Sequence, residues 1–545
     1  MDLNKRMLIA LVLITVILVV WQMFFFKAPT INRIIGDSTK ISDTSKVAKT
    51  KEKDTVIRSK VVVSRKEKTV STKVAKLPYK SADNSDTINI TTSLYRMQII
   101  NHGASIINCY VNKYRSVKGD TLNILKGIPQ SGITLYSGDY EIPLDSISFN
   151  YNKKYIELSD KKVDTLLFSW KNDTSNILLG YVFNNKDYKI DIFYKVNGID
   201  VDWVKFNFNN GLAYEEKYKK NEIHATKAFA NLGGTVEKYS SKTLKKGDVS
   251  YVGHSSFAGI RNTYFTAMYI SDPKDVKGFD IHFVNDGILN FSFDKDYIHD
   301  TLNTVSLYIG PLDYTILKSY GGQFTDIFDW GWKVIAPISK LILNVMLFIQ
   351  RFVHNYGITI IILAVFLFLI FFPLTLSSFR SARKMQELQP ALSELKEKYK
   401  NNAQKLNQAT MELYKKRGVN PFSGCLPILL QTPVFFALYQ VLKSTIELKS
   451  VSFLWMKDLT AADPYYILPI LMGISMFIQQ KFSNPDPKQK YMTYFMPIFM
   501  VFIFLSFPAG LTLYWLIYNL LSLLQLYIIH LEVINEKKSK PDESK

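Results

Sequence analysis

Cysteine is nearly absent from this chain of 545 residues: Cys109 and Cys425 are the only two, and they lie in segments of very different character. They supply no disulfide framework and no metal-ligand spacing. Histidine is sparse as well. His102, His224, His254, His282 and His299 are scattered, and although Asp280 and Asp300 stand near two of them, no set of His, Cys and carboxylate recurs at ligand spacing. No phosphate-binding loop and no catalytic constellation is found, so neither an enzyme nor a metal or cofactor protein is expected. Internal repeats are lacking, and the apolar spans carry no carboxylates, which argues against a small-solute transporter. Negative charge is in short supply, leaving a net charge of +20. The basic excess sits largely in a linker and in loops beside apolar spans, which marks membrane topology rather than nucleic acid.

What is present is organised by length and period. The first 330 residues or so are mostly polar and the last 200 mostly apolar. Met7 to Phe26 is an apolar run preceded by Lys5 and Arg6. It is too long for a typical signal-peptide core, and Phe24 to Phe26 stand where cleavage would occur, so an uncleaved N-terminal anchor (residues 1–30) with its start inside is expected. Residues 31–86 are rich in Lys, Ser, Thr and Val, with no aromatic before Tyr79, and read as a disordered linker. From Thr87 the period changes to two. Tyr188, Ile190, Ile192, Tyr194 and Val196 alternate with mostly polar residues, as do Val204, Phe206 and Phe208 and the run Leu289, Phe291 and Phe293. Such alternation predicts an antiparallel β-sandwich outside the membrane over 87–325.

Residues 326–354 follow, with Leu341, Val345, Phe348 and Phe352 at helical spacing beside Lys333, Lys340 and Arg351, and with Trp330 and Trp332 at the start. This pattern predicts a helix lying in the membrane interface. Five spans are then expected between 355 and 530: Tyr356–Leu376, Cys425–Leu442, Tyr465–Gln479, Tyr491–Phe507 and Leu511–Ile529. The loop from Phe379 to Pro421 carries ten Lys/Arg against four Glu, whereas 447–464 is net acidic. The loop from Lys481 to Lys490 carries three Lys and one Asp, so positive-inside counting puts it and the first loop in the cytoplasm and the β domain outside; the charged 531–545 tail is expected in the cytoplasm as well. Within that loop, Met385, Leu388, Leu392, Leu395 and Tyr399, then Leu406, Thr410 and Leu413, recur at three and four. They predict a helical hairpin over 379–418, with Pro390 kinking its first helix or opening its second half and Gly418 ending it.

The second span is the oddest. Pro427 and Pro433 interrupt it, and Gln431 puts an amide near mid-membrane. Such an amide costs roughly 1–3 kcal/mol unless it finds a partner or water. Gln431 is either packing glue between helices or a wall of a wet cavity.

Several stretches, in order and at spacing, resemble the bacterial YidC membrane-protein insertase family. They include Tyr308–Tyr314 (YIGPLDY), Asp329–Trp332 (DWGW), Phe372–Thr375 (FPLT), Met385–Pro390 (MQELQP), Asn420–Tyr439, Asp463–Gly473 (DPYYILPILMG) and Phe507–Leu511 (FPAGL). The resemblance implies a polytopic α-helical membrane protein of the bacterial inner membrane. It implies an anchor plus a five-helix insertase core, and an external β-supersandwich related to sugar-mutarotase folds but without their activity. It also implies a groove open to cytoplasm and lipid, and a cytoplasmic hairpin whose Arg380, Arg383, Lys384 and Met385 receive substrates. The implied partners are nascent inner-membrane proteins, the Sec translocon, the ribosome and membrane lipids, with no small-molecule substrate. One departure stands out. The family usually carries a lone Arg or Lys in the first core span, and the position in register here is Phe368, with Ala364 one turn before it. The groove would then stay wet by neutral groups: Thr359, Gln431, Trp515, Tyr518, Asn519 and Gln525. Trp515 sits where the family commonly places a substrate-contacting aromatic. An envelope scaffold is the remaining alternative, but it would need neither Gln431 nor a basic hairpin.

Overall fold

The computed structural model describes residues 73–74, 85–116, 119–159, 162–214, 219–285, 287–419, 426–483 and 490–539. The expected anchor, nearly all of the expected linker, Cys425 and the last residues of the tail lie outside them.

Period-two alternation produces the β domain. Tyr188, Ile190, Ile192, Tyr194 and Val196 all point inward and are buried. Sheets of seven, nine and five strands result. In the nine-stranded sheet, Lys189–Asn197 pairs antiparallel with Asn176–Asn184 and Asn303–Pro311. In the seven-stranded sheet, Trp203–Phe208 lies between Ser131–Ser137 and Ile288–Asp296. The two inner faces interdigitate through aromatic rings: Tyr194 against Phe206 at 5.4 Å, Phe206 against Tyr269 at 5.5 Å and Tyr269 against Phe291 at 5.7 Å. Large rings reaching across from both sheets are what hold a sandwich together. The pairing is antiparallel except at two margins. Thr87–Thr91 runs parallel to Tyr155–Glu157, and Lys73–Val74 runs parallel to Tyr140–Glu141. Lys73–Val74 lies in the stretch read as a disordered linker; an open sheet edge offers backbone partners to any extended segment beside it.

The chain leaves the sandwich at Pro311 through a short helix, Tyr314–Tyr320, and a turn, Gly322–Ile327. Trp330 was expected at a membrane interface. It is instead buried, and its indole N–H donates to Thr325 O at 2.9 Å. A left-handed Gly331 (φ 84°) turns the backbone there, so the helix expected from Asp329 begins only at Ala336, with Pro337 in its first turn. Asp329 ties this turn back to the β domain. Its carboxylate accepts from Lys227 at 2.7 and 2.8 Å and pairs with the buried Arg261 at 2.5 Å.

Eight helices complete the described chain: α1 (Ala336–Val353), α2 (Tyr356–Glu387), α3 (Gln389–Lys398), α4 (Ala403–Lys416), α5 (Leu426–Ser444), α6 (Ile467–Ser483), α7 (Lys490–Phe504) and α8 (Ala509–Ser539). α1 buries Ser339, Ile342, Leu343 and Met346 and leaves Leu341, Phe348 and Phe352 more than half exposed. By length and composition, α1, α2 and α8 can each cross a membrane, while α6 and α7 are apolar but shorter. Two of the five expected spans are therefore short helices, and α1 has the length of a span as well. α2 and α8 run past their expected ends as continuous helices. The hairpin is α3 and α4: Pro390 opens α3, and Gly418 (φ 61°) follows the end of α4. Leu388, Leu392 and Val419 form its small core, with Met385, Leu413 and Tyr414 packed around. The β domain also grips the core at the end of α5 and just after it, where Tyr264 Oη donates to Lys443 O at 2.9 Å and Lys449 Nζ lies 4.5 Å from the Tyr264 ring.

Candidate functional site: a neutral face on the last helix

α8 presents Thr512, Trp515, Tyr518, Asn519, Ser522 and Gln525 at spacings of three and four, which places them along one side of the helix. Partners come from three other helices. At one end, Gln525 is fully buried. It accepts from Thr375 Oγ1 at 3.0 Å and donates to Phe372 O at 3.3 Å, joining α8 to α2 on either side of Pro373. One turn away, Ser522 accepts from Gln479 Nε2 of α6 at 3.0 Å. These bonds close that end as packing. Asn519 is buried too, and its side-chain nitrogen has no hydrogen-bond partner among the described residues. An unpaired buried amide donor costs about 1–3 kcal/mol unless something visits it.

Toward Pro508 the stripe is looser and aromatic. Gln431 of α5 donates to Tyr514 Oη at 3.2 Å. Phe435 sits edge-on to Trp515 at 5.2 Å, and Phe368 of α2 sits edge-on to Tyr518 at 5.9 Å and to Phe372 at 5.8 Å. Gln431, Phe435, Trp515 and Tyr518 are all half-exposed, whereas Tyr514 and Phe368 are buried. The structure thus brings Gln431, Trp515, Tyr518, Asn519 and Phe368 to one face where α2, α5 and α8 meet, and none of these side chains bears a charge. The side chains of 420–430, which precede Gln431, lie outside the described residues.

Thr359, expected to wet this face, is placed elsewhere. It is fully buried and donates to Gln350 Oε1 of α1 at 2.7 Å and to Asn355 O at 2.9 Å, so it pins the start of α2 to α1. A hydroxyl in an apolar span reaches the nearest acceptor, and here the helix before supplies it. Gln525 likewise serves helix packing. Tyr514, Thr375, Gln479 and Ser522 went unnoticed in the sequence; a lone polar group in an apolar helix, three or four residues from another, was the available signal. On the hairpin side, Arg380 and Lys384 are exposed, while Met385 packs on the hairpin core.

A face of this kind can hold hydrogen-bonding groups inside a low-dielectric region without committing a charge. A passing polar backbone or side chain would exchange water for Gln431, Tyr518 and Asn519 rather than for hydrocarbon.

Comparison with known proteins follows this division of the chain. The family described as 60Kd inner membrane protein matches residues 348–537, and the YidC periplasmic domain family matches residues 87–345. A membrane protein insertase YidC from Geobacter metallireducens is 34% identical over 459 residues, covering 80% of this chain and 84% of that protein. Another, from Syntrophus aciditrophicus, is 30% identical over 554 residues, covering 97% and 99%. A solved structure of an active YidC insertase with its first transmembrane domain resolved aligns over 83% of this chain and 94% of its own, at 16% identity and a TM-score of 0.37.

Proposed function

Since the chain belongs to the YidC family of membrane protein insertases, with a periplasmic β domain, we propose that it inserts inner-membrane proteins through the neutral face shared by α2, α5 and α8. The hydrogen bond between Gln431 and Tyr514 carries this reading. A proline-interrupted α5 offers the amide of Gln431 to α8 beside half-exposed Trp515 and Tyr518. A short hydrophilic segment would enter from the cytoplasm, received by Arg380, Arg383, Lys384 and Met385. It would then cross along the neutral face while its apolar helix partitions into lipid. The short α6 and α7 support a locally thinned bilayer, which shortens the polar path. With Phe368 where the family resemblance implies a cation, acidic substrate tails are not attracted electrostatically, and neutral hydrogen bonding does the work.

The finer reading has the N-terminus, the hairpin and the C-terminus in the cytoplasm and α1 lying in the interface. Lys340 supports the placement of α1, since it pairs with Asp326 at 3.0 Å rather than facing hydrocarbon. Substrates would come alone, from ribosomes, or by way of the Sec translocon, with a chaperone role while they fold, and anionic lipids would meet the basic loops. No nucleic acid, cofactor or small-molecule substrate enters the scheme.

Reconstitution in liposomes with a small single-span substrate tests it. Protease-protected substrate above the level of empty liposomes is expected. Photo-crosslinkers at Gln431 and Trp515 should capture the passing chain. Labelling of lipid alone would refute the groove.

A further inference from the structure

A cavity of about 470 Å³ opens at one end of the nine-stranded sheet, a size within the usual range for small-molecule sites. Its floor is sheet: Lys189, Ser306 and Ile270 come from the neighbouring strands Lys189–Asn197, Asn303–Pro311 and Phe265–Ile270. Its roof is the segment that leaves the sandwich for the membrane, through Tyr320, Gln323 and Phe324.

The walls are held in place before any ligand arrives. Phe324 is buried and stacks on Phe257 at 4.5 Å, with Tyr320 edge-on to it at 6.0 Å. Asn231 Nδ2 donates to Ser256 Oγ and to Gln323 Oε1, both at 2.8 Å, while its Oδ1 accepts from Gly234 N at 2.9 Å. His254 Nδ1 lies 2.7 Å from Pro273 O. A carbonyl only accepts, so in the neutral ring Nδ1 carries the proton and Nε2 is an acceptor. Ser271 Oγ accepts from Lys295 Nζ at 3.0 Å. These bonds leave the Gln323 amide hydrogens, two serine hydroxyl hydrogens and His254 Nε2 for an occupant.

Charge selects the class of ligand. Among the described residues no carboxylate lines the cavity: Asp187 and Asp191 accept from the lining hydroxyls of Tyr320 and Ser306, and Asp191 offsets the ammonium of Lys189 at 3.3 Å. A highly charged ligand would lose its hydration with no countercharge to replace it, and a purely apolar one would strand the amides and hydroxyls. A peptide that binds by adding a strand needs an open sheet edge, and the floor strands are already paired on both sides. What fits is a neutral ligand with an apolar face for the rings and a hydroxyl-rich edge for the donors and acceptors. We propose that this cavity binds a small neutral saccharide, held between the Tyr320–Phe324 wall and the Asn231–Ser256–Gln323 hydrogen-bond cluster. Because the roof is the exit segment, a bound sugar also fastens that segment to the sheet.

The full-length protein in nanodiscs, titrated with glucose, maltose and N,N′-diacetylchitobiose, tests this by saturation-transfer NMR and by hydrogen exchange of residues 320–324. At least one sugar should bind saturably with a Kd of about 1 mM or tighter and slow exchange across the roof. Gln323→Ala should weaken binding by about tenfold or more, with at most the small drop in melting temperature that losing its bond to Asn231 entails. Gln323→Glu, which keeps the shape, separates lost hydrogen bonding from lost fold. No saturable binding of any of the three sugars overturns the proposal. So does equal affinity in both variants and the parent, or saturable binding of a neutral hexapeptide in their place.

Discussion

Replacing Glu447 by Gln should remove a pH dependence from the contact between the β domain and the helices. Glu447 lies in the turn Ile446–Leu448 after α5, is 7% exposed, and its Oε1 has no hydrogen-bond partner among the described residues. Burial raises its pKa first. The carboxylate of Asp313 raises it further, to about 8 from an ordinary 4.5, and Lys113 opposes the rise. Asp313 is held in place because it caps the helix Tyr314–Tyr320, accepting from Thr315 N and Ile316 N at 2.9 and 3.0 Å. At neutral pH, then, Glu447 is the protonated member of a carboxyl pair shared by the two parts of the protein. Because the folded value is the raised one, its contribution is complete below the unfolded value of 4.5 and is lost as pH climbs through about 8. At about 1.4 kcal/mol per pKa unit, ionising Glu447 in place costs on the order of 5 kcal/mol before the turn relaxes. The apparent melting temperature at a fixed scan rate should therefore fall by several degrees for the parent protein between about pH 6 and about pH 9. Glu447→Gln, neutral throughout and of the same shape, should stay level across that window. Parallel curves for the two proteins would show that Glu447 does not titrate in the junction, and the reasoning would fail.

Other perturbations are read from single contacts. Asp329→Asn leaves Arg261 and Lys227 without their carboxylate. Breaking a buried pair costs about 3–5 kcal/mol, and because Asp329 is about one-third exposed the loss should fall at or below the lower end, seen as a lower melting temperature and earlier protease cleavage near residue 329. Gly357→Ala would put a Cβ 2.1 Å from the Phe453 ring, costing about 1–3 kcal/mol; Phe453→Ala in the same chain should restore most of it, and failure to do so would exclude this clash as the cause. Phe368→Arg places a cation beside Tyr518 and should raise liposome insertion of substrates with acidic tails relative to neutral ones. An unchanged ratio would mean that position 368 does not meet the passing chain.

Much of the architecture was written in periodicity. Alternation over 188–196 and 204–208 can bury only one face, so a sandwich was required, and helical spacing at Met385, Leu388 and Leu392 required a hairpin with its own small core. Pro390 and Gly418 act within their own turns, so their places as opener and terminator were legible as well. The site was less so. Gln431 stood out because an amide in an apolar run is costly wherever the helix packs, and α8 showed its polar side by spacing alone. Which of those groups pack and which line a face depends on the helices opposite, and those are distant in sequence. Gln525 meets Thr375, Ser522 meets Gln479, and Thr359 turns to Gln350.

Local pattern by itself determined which segments are strands, which are apolar helices, and that no charge stands at position 368. Only the tertiary structure decided that Gln431 bonds Tyr514, that Trp330 is buried, and that Glu447 and Asp313 share one junction. The reason is physical. Period and propensity act over a few residues, whereas the cost of a buried polar group is set by whichever partner the fold carries to it.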